Sequence, residues 1–317
     1  MNLRVLCTGG AGFVGSHLVD RLCDEGHSVT VLDDFSSGSR KNLNIAAELI
    51  VGDVSVQKTW RNLEEHDFIF GLACFPRSAS LQNPYRDLQV NYLATIHALE
   101  YAKPKRTPIV FASNTGIVSH PRKLPIDEKY PDMPSTPYDL HKLGSEHLLR
   151  IYSEQFNVPT LVLRFASVYG PRQSCHEEIN WHPIIPHFLK LIKAHEPPTI
   201  DGDGEQTRDF IYISDIVDGL ISGMNALLKG RAPSSKVILG TNTETSINDL
   251  WKEMATITKS KLHPKHGPPR PADIRRMRYD SRLAQRELGW KAKVDLKEGL
   301  QLTVTSRGAQ RPTNIRN

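Results

Sequence analysis

The chain of 317 residues is long enough for one large domain or two moderate ones, and its 39% apolar and 24% charged residues are typical of a globular protein. No run of about 18 apolar residues occurs, which excludes a membrane span. The net charge of +5 comes from lysines and arginines that are spread out, so it suits an anionic small molecule just as well as nucleic acid and does not decide between them; no nucleic-acid partner is expected.

Strand-like and helix-like segments alternate through the first half of the chain. Residues 3–8 form a short apolar run, a glycine turn follows, and an amphipathic helix carrying Phe13 and Val14 ends at Gly26. Further strands are predicted at 27–34, 47–53, 67–73, 107–113 and 159–166, and further helices at 59–66, 84–103 and 138–156. This alternation predicts an α/β fold of the Rossmann type, with a doubly wound parallel sheet.

The character of the chain changes after about residue 170. The stretch 197–215, "PPTIDGDGEQTRDFIYISD", looks like a hairpin region, and later strand candidates are scattered. We predict a Rossmann domain over 1–170, to which residues 209–240 return, and a smaller interleaved α/β lobe over 171–306. Residues 307–317 show no periodicity and are expected to form a flexible tail.

The cysteines and histidines do not follow a metal-binding pattern. Cys7, Cys23, Cys74 and Cys175 lie far apart, which indicates reduced thiols in a cytoplasmic protein, and the opening residues show no export signal. In "WHPIIPH", prolines interrupt the histidine pair His182 and His187, so no metal site is expected.

The segment "TGGAGFVGSH" carries a GxxGxxG motif between the first strand and the first helix. Gly9, Gly12 and Gly15 would permit a tight turn, let the backbone approach a pyrophosphate, and present helix N–H groups to its charge. A lone glycine triplet is weak evidence, but this one has the strand–turn–helix context that a dinucleotide site requires.

Acidic residues follow the next two strands. Asp33 or its neighbour Asp34 would accept hydrogen bonds from an adenosine ribose and repel a 2′-phosphate, which favours NAD over NADP. Against this, Arg40 and Lys41 could meet a phosphate. Asp53, in "VGDV", lies where a carboxylate can meet the adenine amino group, although a simple turn-forming role is nearly as plausible.

A YxxxK motif opens the long helix predicted at 138–156. Tyr138 and Lys142 would share one helix face, and an ammonium beside the phenol would lower the tyrosine pKa from about 10, so that it can accept a proton from a hydroxyl. A second match, at Tyr101 and Lys105, is accidental because Pro104 breaks that helix.

Motifs along nearly the whole chain resemble one family. The segments "TGGAGFVGSH", "LQVNYLAT", "PYDLHK", "LRFASVYGPRQ", "GDGEQTRDFIYISD" and "RPADIRRMRYD" are similar to those of extended short-chain dehydrogenases of the NAD-dependent sugar-nucleotide epimerase/dehydratase family, above all UDP-glucose 4-epimerase-like members. The resemblance implies that Tyr138 is the acid/base at the sugar 4-hydroxyl and that Lys142 holds the nicotinamide ribose. It also implies that Arg208 binds the diphosphate of a UDP-sugar and that Arg270 binds the diphosphate or the nucleotide ribose.

The same resemblance implies further contacts and an assembly. Cofactor contacts are expected from Phe13, Val14, Val54, Leu72, Ala73 and Asn91, and substrate contacts from Ser80 and Ser167. A homodimer is expected, in which the helices predicted at 84–103 and 138–156 pack across a two-fold axis.

The stretch "FASNTGIVSH" departs from the family pattern. Asn114 occupies the position of the working hydroxyl, and Ser113 and Thr115 flank it. The amide could orient the sugar 4-oxygen, a flanking hydroxyl could replace it, or the site could be weakened. Decarboxylases of the family carry a glutamate where this chain has Gly116, and dehydratases an Asp–Glu pair at 115–116, so both reactions are disfavoured.

A second departure lies in "RFASVYGP", where Ala166 and Ser167 replace larger residues and suggest a roomier sugar pocket. The leading hypothesis is an NAD-dependent UDP-sugar 4-epimerase. The alternatives are a 4-ketoreductase or dehydratase of a deoxysugar pathway, and a dinucleotide-binding protein with a weakened site.

Overall fold

The computed structural model of the protein describes residues 2–119, 121–177, 181–231, 235–269 and 273–306. Strands in these ranges are β1 (Arg4–Thr8), β2 (Ser28–Asp33), β3 (Glu48–Val51), β4 (Phe68–Gly71), β5 (Ile109–Asn114), β6 (Thr160–Phe165), β7 (Ser167–Tyr169), β8 (Thr199–Asp201), β9 (Thr207–Arg208), β10 (Phe210–Tyr212), β11 (Lys236–Leu239), β12 (Thr245–Ser246) and β13 (Lys265–Gly267). Helices are α1 (Phe13–Asp24), α2 (Gln57–Arg61), α3 (Arg77–Ser80), α4 (Pro84–Leu88), α5 (Ala94–Ala102), α6 (Pro137–Phe156), α7 (Ile184–Ala194), α8 (Ile213–Leu228), α9 (Ile247–Thr258), α10 (Arg282–Leu288) and α11 (Leu296–Ser306).

The central sheet has seven strands in the order β11-β6-β5-β4-β1-β2-β3. Every neighbouring pair in it is parallel. The predicted α/β Rossmann fold is therefore confirmed. The order reverses beside β1, and ligands of such sheets bind in the crevice at the carboxyl ends of the strands there.

The long helix α6 begins where its local sequence dictates. The Thr136 side chain accepts a hydrogen bond from the backbone N–H of Asp139, and Pro137 takes the first helical position. The helix ends at Asn157, whose left-handed conformation (φ +56°) stops it. These signals place Tyr138 in the first turn, beside the carboxyl end of β5.

One local prediction was wrong. The segment 197–215 is not a hairpin: β8 pairs with β13 and β9 pairs with β12, both far away in the chain. Turn residues indicate that the chain reverses, but they do not say which strands it pairs with.

The helix predicted at 84–103 is confirmed. The backbone is helical from α4 through α5, and the residues between them, Gln89–Leu93, are π-helical.

The later part of the chain rejoins the sheet. Strand β10 pairs with β7, β11 extends the sheet beside β6, and the helix between them, α8, packs on α1. One cluster of buried apolar residues runs from Val5 in β1 to Trp251 in α9 and Leu300 in α11, so both parts of the chain share it. The proposed division into domains stays a prediction, and the tail at 307–317 lies outside the described residues. Among the helices in the described ranges, none has the length and apolarity needed to span a bilayer.

Candidate active site

A cavity of about 610 Å³ lies at the carboxyl edge of the central sheet. The residues that end the strands line it: Gly9 after β1, Asp33 in β2, Leu72 after β4, Asn114 in β5 and Phe165 in β6. Residues of the later segments, including Ser167, Arg208 and Tyr279, close its other side. The cavity thus lies between the sheet and the segments predicted to bind substrate.

The glycine turn forms one end of the cavity, and Gly9, Gly12, Phe13, Val14 and Gly15 all line it. Gly9 has φ +69°, and a Cβ atom there would lie 2.7 Å from the backbone of Ala73. Since both the dihedral and the space exclude a side chain, the turn can only be built with glycine. No side chain caps the start of α1 at Gly12, so the first N–H groups of the helix are available to a ligand.

The acidic residues after β2 and β3 form a small network. Asp33 accepts hydrogen bonds from the N–H groups of Ala11 (2.9 Å) and Phe35 (2.8 Å), and burial raises its pKa. Asp34 and Asp53 both pair with one guanidinium, that of Arg86, at 3.2 and 2.7 Å.

Asp34 and Asp53, which both pair with Arg86, differ in their access to the cavity. Burial opposes the charge of Asp53, but hydrogen bonds from Arg86 and Ser55 outweigh it and lower the pKa of Asp53. Asp34 and Arg86 line the cavity, whereas the carboxylate of Asp53 lies behind Arg86. Because Asp53 is absent from the cavity lining and pairs with Arg86, which is part of it, the contact of Asp53 with adenine stays a prediction.

The predicted residues around β4 fall into two groups. Val54, Leu72 and Ala73 line the cavity. Asn91 does not: it is 1% exposed, and its amide hydrogen-bonds the backbone N–H and C=O of Phe75. Ser80 is fully buried, and its hydroxyl donates to the carbonyl of Arg77. Neither residue lines the cavity: the Asn91 amide binds the loop after β4 and the Ser80 hydroxyl bonds within α3, so their ligand contacts stay predictions.

Tyr138 lines the cavity, whereas Lys142 lies one helical turn behind it. The Lys142 Nζ donates to the carbonyl of Ala112 (3.0 Å) and lies 4.5 Å from the centroid of the Phe111 ring and 6.0 Å from that of Tyr138. Burial lowers the pKa of Lys142. Burial also raises the pKa of Tyr138 well above its usual value, and Arg77 opposes this only in part. The expected lowering of the Tyr138 pKa by Lys142 is therefore wrong for the protein without ligands.

The hydroxyls beside Asn114 are already engaged. Ser113 donates to Glu146 (2.6 Å), which in turn binds the buried guanidinium of Arg164. Thr115 donates to the carbonyl of Phe165 (2.9 Å). Both polar atoms of the Asn114 side chain are buried and have no hydrogen-bond partner among the described residues. A buried polar group without a partner costs free energy, so Asn114 is poised to bind a ligand.

Gly116 lies in a closely packed space next to this amide. A Cβ atom at Gly116 would lie 2.7 Å from Asn114 Oδ1, 3.2 Å from Asp139 Oδ1 and 3.4 Å from Arg77 Nε. The fully buried carboxylate of Asp139 forms a bidentate pair with Arg77, which lines the cavity beside Tyr138. A side chain at position 116 would therefore have to displace the amide and approach a buried carboxylate.

Arg208 lines the far side of the cavity with Ser167. Its guanidinium donates to Asp273 (2.6 Å) and to the carbonyl of Ile274 (2.7 Å), which hold it in place with a quarter of its side chain exposed. Arg270, the second predicted diphosphate ligand, lies outside the described residues.

Three arginines that the sequence analysis did not select also line the cavity: Arg77, Arg86 and Arg172. Arg172 binds Asp20 through Nη2 (2.6 Å), while its Nη1 is buried without a partner in the described part of the chain. Its place in "GPRQ", a segment that carried the resemblance, was a usable signal. For Arg86, in "NPYRD", the sequence offered no usable signal, because an isolated basic residue on a predicted helix is typical of a solvated surface.

Comparison with known proteins decides the family. Residues 5–238 match the model of the NAD-dependent epimerase/dehydratase family. The chain belongs to this family. It is 33% identical over 312 residues to the UDP-glucose 4-epimerase of Mycolicibacterium smegmatis, covering 95% of this chain and 97% of that one. It is also 33% identical over 311 residues to UDP-glucuronic acid decarboxylase 1 of Danio rerio, covering 95% of this chain and 72% of that one.

Solved structures agree with this assignment. The crystal structure of a UDP-glucose 4-epimerase from Thermotoga maritima with UDP-glucose has a TM-score of 0.89 and 32% identity, covering 96% of this chain and 98% of that one. This protein is therefore an enzyme of the NAD-dependent epimerase/dehydratase family. Because its relatives include both epimerases and decarboxylases, the family alone does not choose the reaction.

The cavity fits the NAD used by the family. The glycine turn leaves backbone N–H groups open to a pyrophosphate, and each oxygen of Asp33 retains a lone pair beyond its single hydrogen bond. Arg40, the candidate for a 2′-phosphate contact, lies over the Phe35 ring, 4.5 Å from its centroid. The buried amide of Asn114 and Nη1 of Arg172, which have no partner among the described residues, remain available to a second ligand.

Proposed function

We propose that this enzyme is a 4-epimerase of nucleoside-diphosphate sugars, with a UDP-sugar as its substrate. The observation that carries this proposal is the packing around Gly116. Family members that decarboxylate or dehydrate resemble this chain closely, but they use a carboxylate at this place. Here the space for one is filled by Asn114 and bordered by the buried charge of Asp139.

Loss of a C6 hydroxyl needs a general acid or base that acts after oxidation at C4. The side chains nearest to position 116 are an amide, a carboxylate that is neutralised by Arg77, and the engaged hydroxyl of Thr115. None of them is a free acid or base. Simple oxidation at C4 and its reversal require only one proton-transferring group, and Tyr138 lines the cavity as that group.

The chemistry of this chain centres on the Tyr138 hydroxyl. NAD, when bound, supplies a hydride acceptor whose nicotinamide ring carries a positive charge. Burial keeps the free phenol protonated, and Arg77 lowers the pKa of Tyr138, so added positive charge favours the phenolate that accepts the proton of the sugar 4-hydroxyl. The Asn114 amide, which cannot relay a proton, donates a hydrogen bond to the 4-oxygen and orients it.

Epimerisation also requires that the 4-keto sugar turn over before Tyr138 returns the proton. Arg208, and the free Nη1 of Arg172, would hold the diphosphate while the sugar moves. Ala166 and Ser167 line the cavity with small side chains, which leaves room for this motion and for a substituent such as N-acetyl or carboxylate.

The test is NMR of the purified protein with UDP-glucose, UDP-N-acetylglucosamine and UDP-glucuronate in separate samples, without added NAD. The galacto product from any of the three is expected. Release of carbon dioxide from UDP-glucuronate, or formation of a 6-deoxy-4-keto sugar, would contradict the proposal and assign one of the alternative reactions. Binding of UDP-sugars without any turnover, even with added NAD, would favour the weakened site.

We also propose that the enzyme forms a homodimer through α4 and α6. These helices carry exposed apolar side chains, among them Tyr85 (70% exposed), Leu140 (56%) and Ile151 (40%). Apolar patches of this kind on paired helices are typical of interfaces. Sedimentation equilibrium is expected to give twice the chain mass, and a monomer at micromolar concentration would contradict this assembly.

A further inference from the structure

A cluster of metal-ligating side chains lies just outside the cavity wall. Cys175, His182 and His187 bring one ligand atom each to within 4.8 Å of one another, and all three residues are half-buried. The sequence analysis expected no metal here, because the ligands are unevenly spaced and prolines interrupt the histidine pair. The folded chain nevertheless brings them together.

A single β-bridge explains two of the three positions. His176 and Trp181 exchange backbone hydrogen bonds of 2.9 and 3.0 Å, and their rings stack with centroids 5.3 Å apart. In an antiparallel pair, the residues next to a hydrogen-bonded pair lie opposite each other, and their side chains point to the other face. His176 and Trp181 line the cavity, so Cys175 and His182 are brought together on the opposite side of this loop.

The third ligand comes from α7. His187 lies in the first turn of this helix, where its N–H donates to the carbonyl of Pro183, and its ring centroid is 5.8 Å from that of His182. A thiolate and two imidazoles are a ligand set that Zn²⁺ prefers. Glu177 borders the cluster: its Oε2 lies 3.5 Å from His182 Nε2, while its Oε1 pairs with Lys190 at 2.5 Å.

The spacing of the ligand atoms is close to what a tetrahedral ion needs. With Zn–N bonds of about 2.0–2.1 Å and a Zn–S bond of about 2.3 Å, the ligand atoms of one site lie roughly 3.3–3.6 Å apart. The cluster, whose ligand atoms lie within 4.8 Å of one another, would therefore have to contract by up to about 1.2–1.5 Å, which rotamer changes in half-buried side chains can supply. We propose that Cys175, His182 and His187 form a zinc site that fastens the loop of the cavity wall to α7.

The site has a structural consequence for the enzyme. Ser174, His176 and Trp181 face the cavity from the same loop whose other face carries the ligands. An ion that joins this loop to α7 would hold these three side chains at fixed positions relative to the sugar. It would act on substrate binding, without touching Tyr138.

Cobalt is the direct probe of this site. The untagged, full-length protein is treated with a chelator, desalted under reducing conditions, and titrated with Co²⁺, and the absorption spectrum is followed. One equivalent is expected to produce the strong visible bands of tetrahedral Co²⁺ together with a thiolate-to-metal charge-transfer band, and Zn²⁺ is expected to displace it. Absence of a saturable spectrum at one equivalent would overturn the proposal.

Ligand variants locate the ion. Cys175→Ser is expected to abolish the charge-transfer band. His182→Ala is expected to weaken Zn²⁺ binding more than 100-fold, measured in competition with a chromophoric chelator. Even groups that only orient the ligands contribute about 10–100-fold to metal affinity, so the loss of a ligand should cost more. The controls are Cys23→Ala, in α1, and His263→Ala, at an exposed position. A charge-transfer band that persists in Cys175→Ser, or that is lost in Cys23→Ala or His263→Ala, would overturn the assignment. This result does not depend on which reaction the enzyme performs.

Discussion

The two ends of the cavity are built from different parts of the chain. At the glycine turn the wall is mainly backbone, with Gly9 packed against Ala73 and the start of α1 open to a ligand. At the end near Tyr138 the wall consists of side chains, and most of their polar groups are paired with other protein groups. The Asn114 amide differs from these groups, because both of its polar atoms are buried without a partner among the described residues.

This difference shows where the function of the enzyme can vary. A backbone cradle binds any dinucleotide pyrophosphate and tolerates little change, because additional atoms collide with the backbone. The paired side chains at the other end can be exchanged while the fold is retained. Our proposal accordingly assigns the choice of reaction to few residues, such as Asn114 and Gly116.

Tyr138→Phe is expected to have the largest effect and to separate the two ends. Loss of the phenolic hydroxyl removes the proton-transferring group and is expected to lower kcat by about 10²–10⁴-fold. NAD binding at the glycine turn should persist, so the absorption of bound NAD should be the same in the variant as in the wild-type protein. Tyr101→Phe, in the accidental YxxxK motif, is the matched control, and an equal loss of kcat in it would show that the effect is structural.

Arg208→Ala is expected to have the next largest effect, on substrate binding. A charge-assisted hydrogen bond contributes about 1.5–3 kcal/mol, so KM for the UDP-sugar should rise roughly 10–150-fold while kcat changes less. Arg275→Ala is the control, because Arg275 is exposed and pairs with Asp203 outside the cavity lining. A fall in kcat with an unchanged KM would contradict a diphosphate-binding role.

A pair of variants at the end of β5 decides which residue orients the sugar. Asn114→Ala should lower kcat by about 2–13-fold, the equivalent of one neutral hydrogen bond of about 0.5–1.5 kcal/mol. Ser113→Ala should leave kcat within about twofold but lower the free energy of unfolding by about 1–3 kcal/mol, because it removes a donor from the buried Glu146 network. If steady-state kinetics instead show the larger loss of kcat in Ser113→Ala, and urea unfolding shows no loss of stability in that variant, the working hydroxyl is assigned to Ser113.

The smallest expected effect concerns pH and the Asp53–Arg86 pair. The folded-state pKa of Asp53 is lowered, so this carboxylate stabilises the fold at pH values above its unfolded pKa of about 3.9, and that stability is lost as the pH falls through the lower folded pKa. Asp53→Asn should therefore lower Tm at pH 7 by a few degrees and have a smaller effect near pH 3. An equal change in Tm at both pH values would contradict the pairing.

Several features were legible in the amino-acid sequence alone. The alternation of apolar runs and amphipathic helices predicted a parallel sheet, because the hydrophobic period is a local property of the sequence. The glycine turn before Phe13 predicted the place of the pyrophosphate, because the need for a positive φ is also local. The YxxxK motif put Tyr138 in the first turn of α6, since Thr136 and Pro137 are local start signals.

Other features were decided only by the tertiary structure, because they depend on contacts between distant parts of the chain. The sequence left Ser113, Asn114 and Thr115 as equal candidates, and Glu146 and the carbonyl of Phe165 distinguish them. Burial, which raises the pKa of Tyr138, is a property of the folded surroundings. The convergence of Cys175 with two histidines likewise depends on a β-bridge and a helix start that the residue spacing does not reveal.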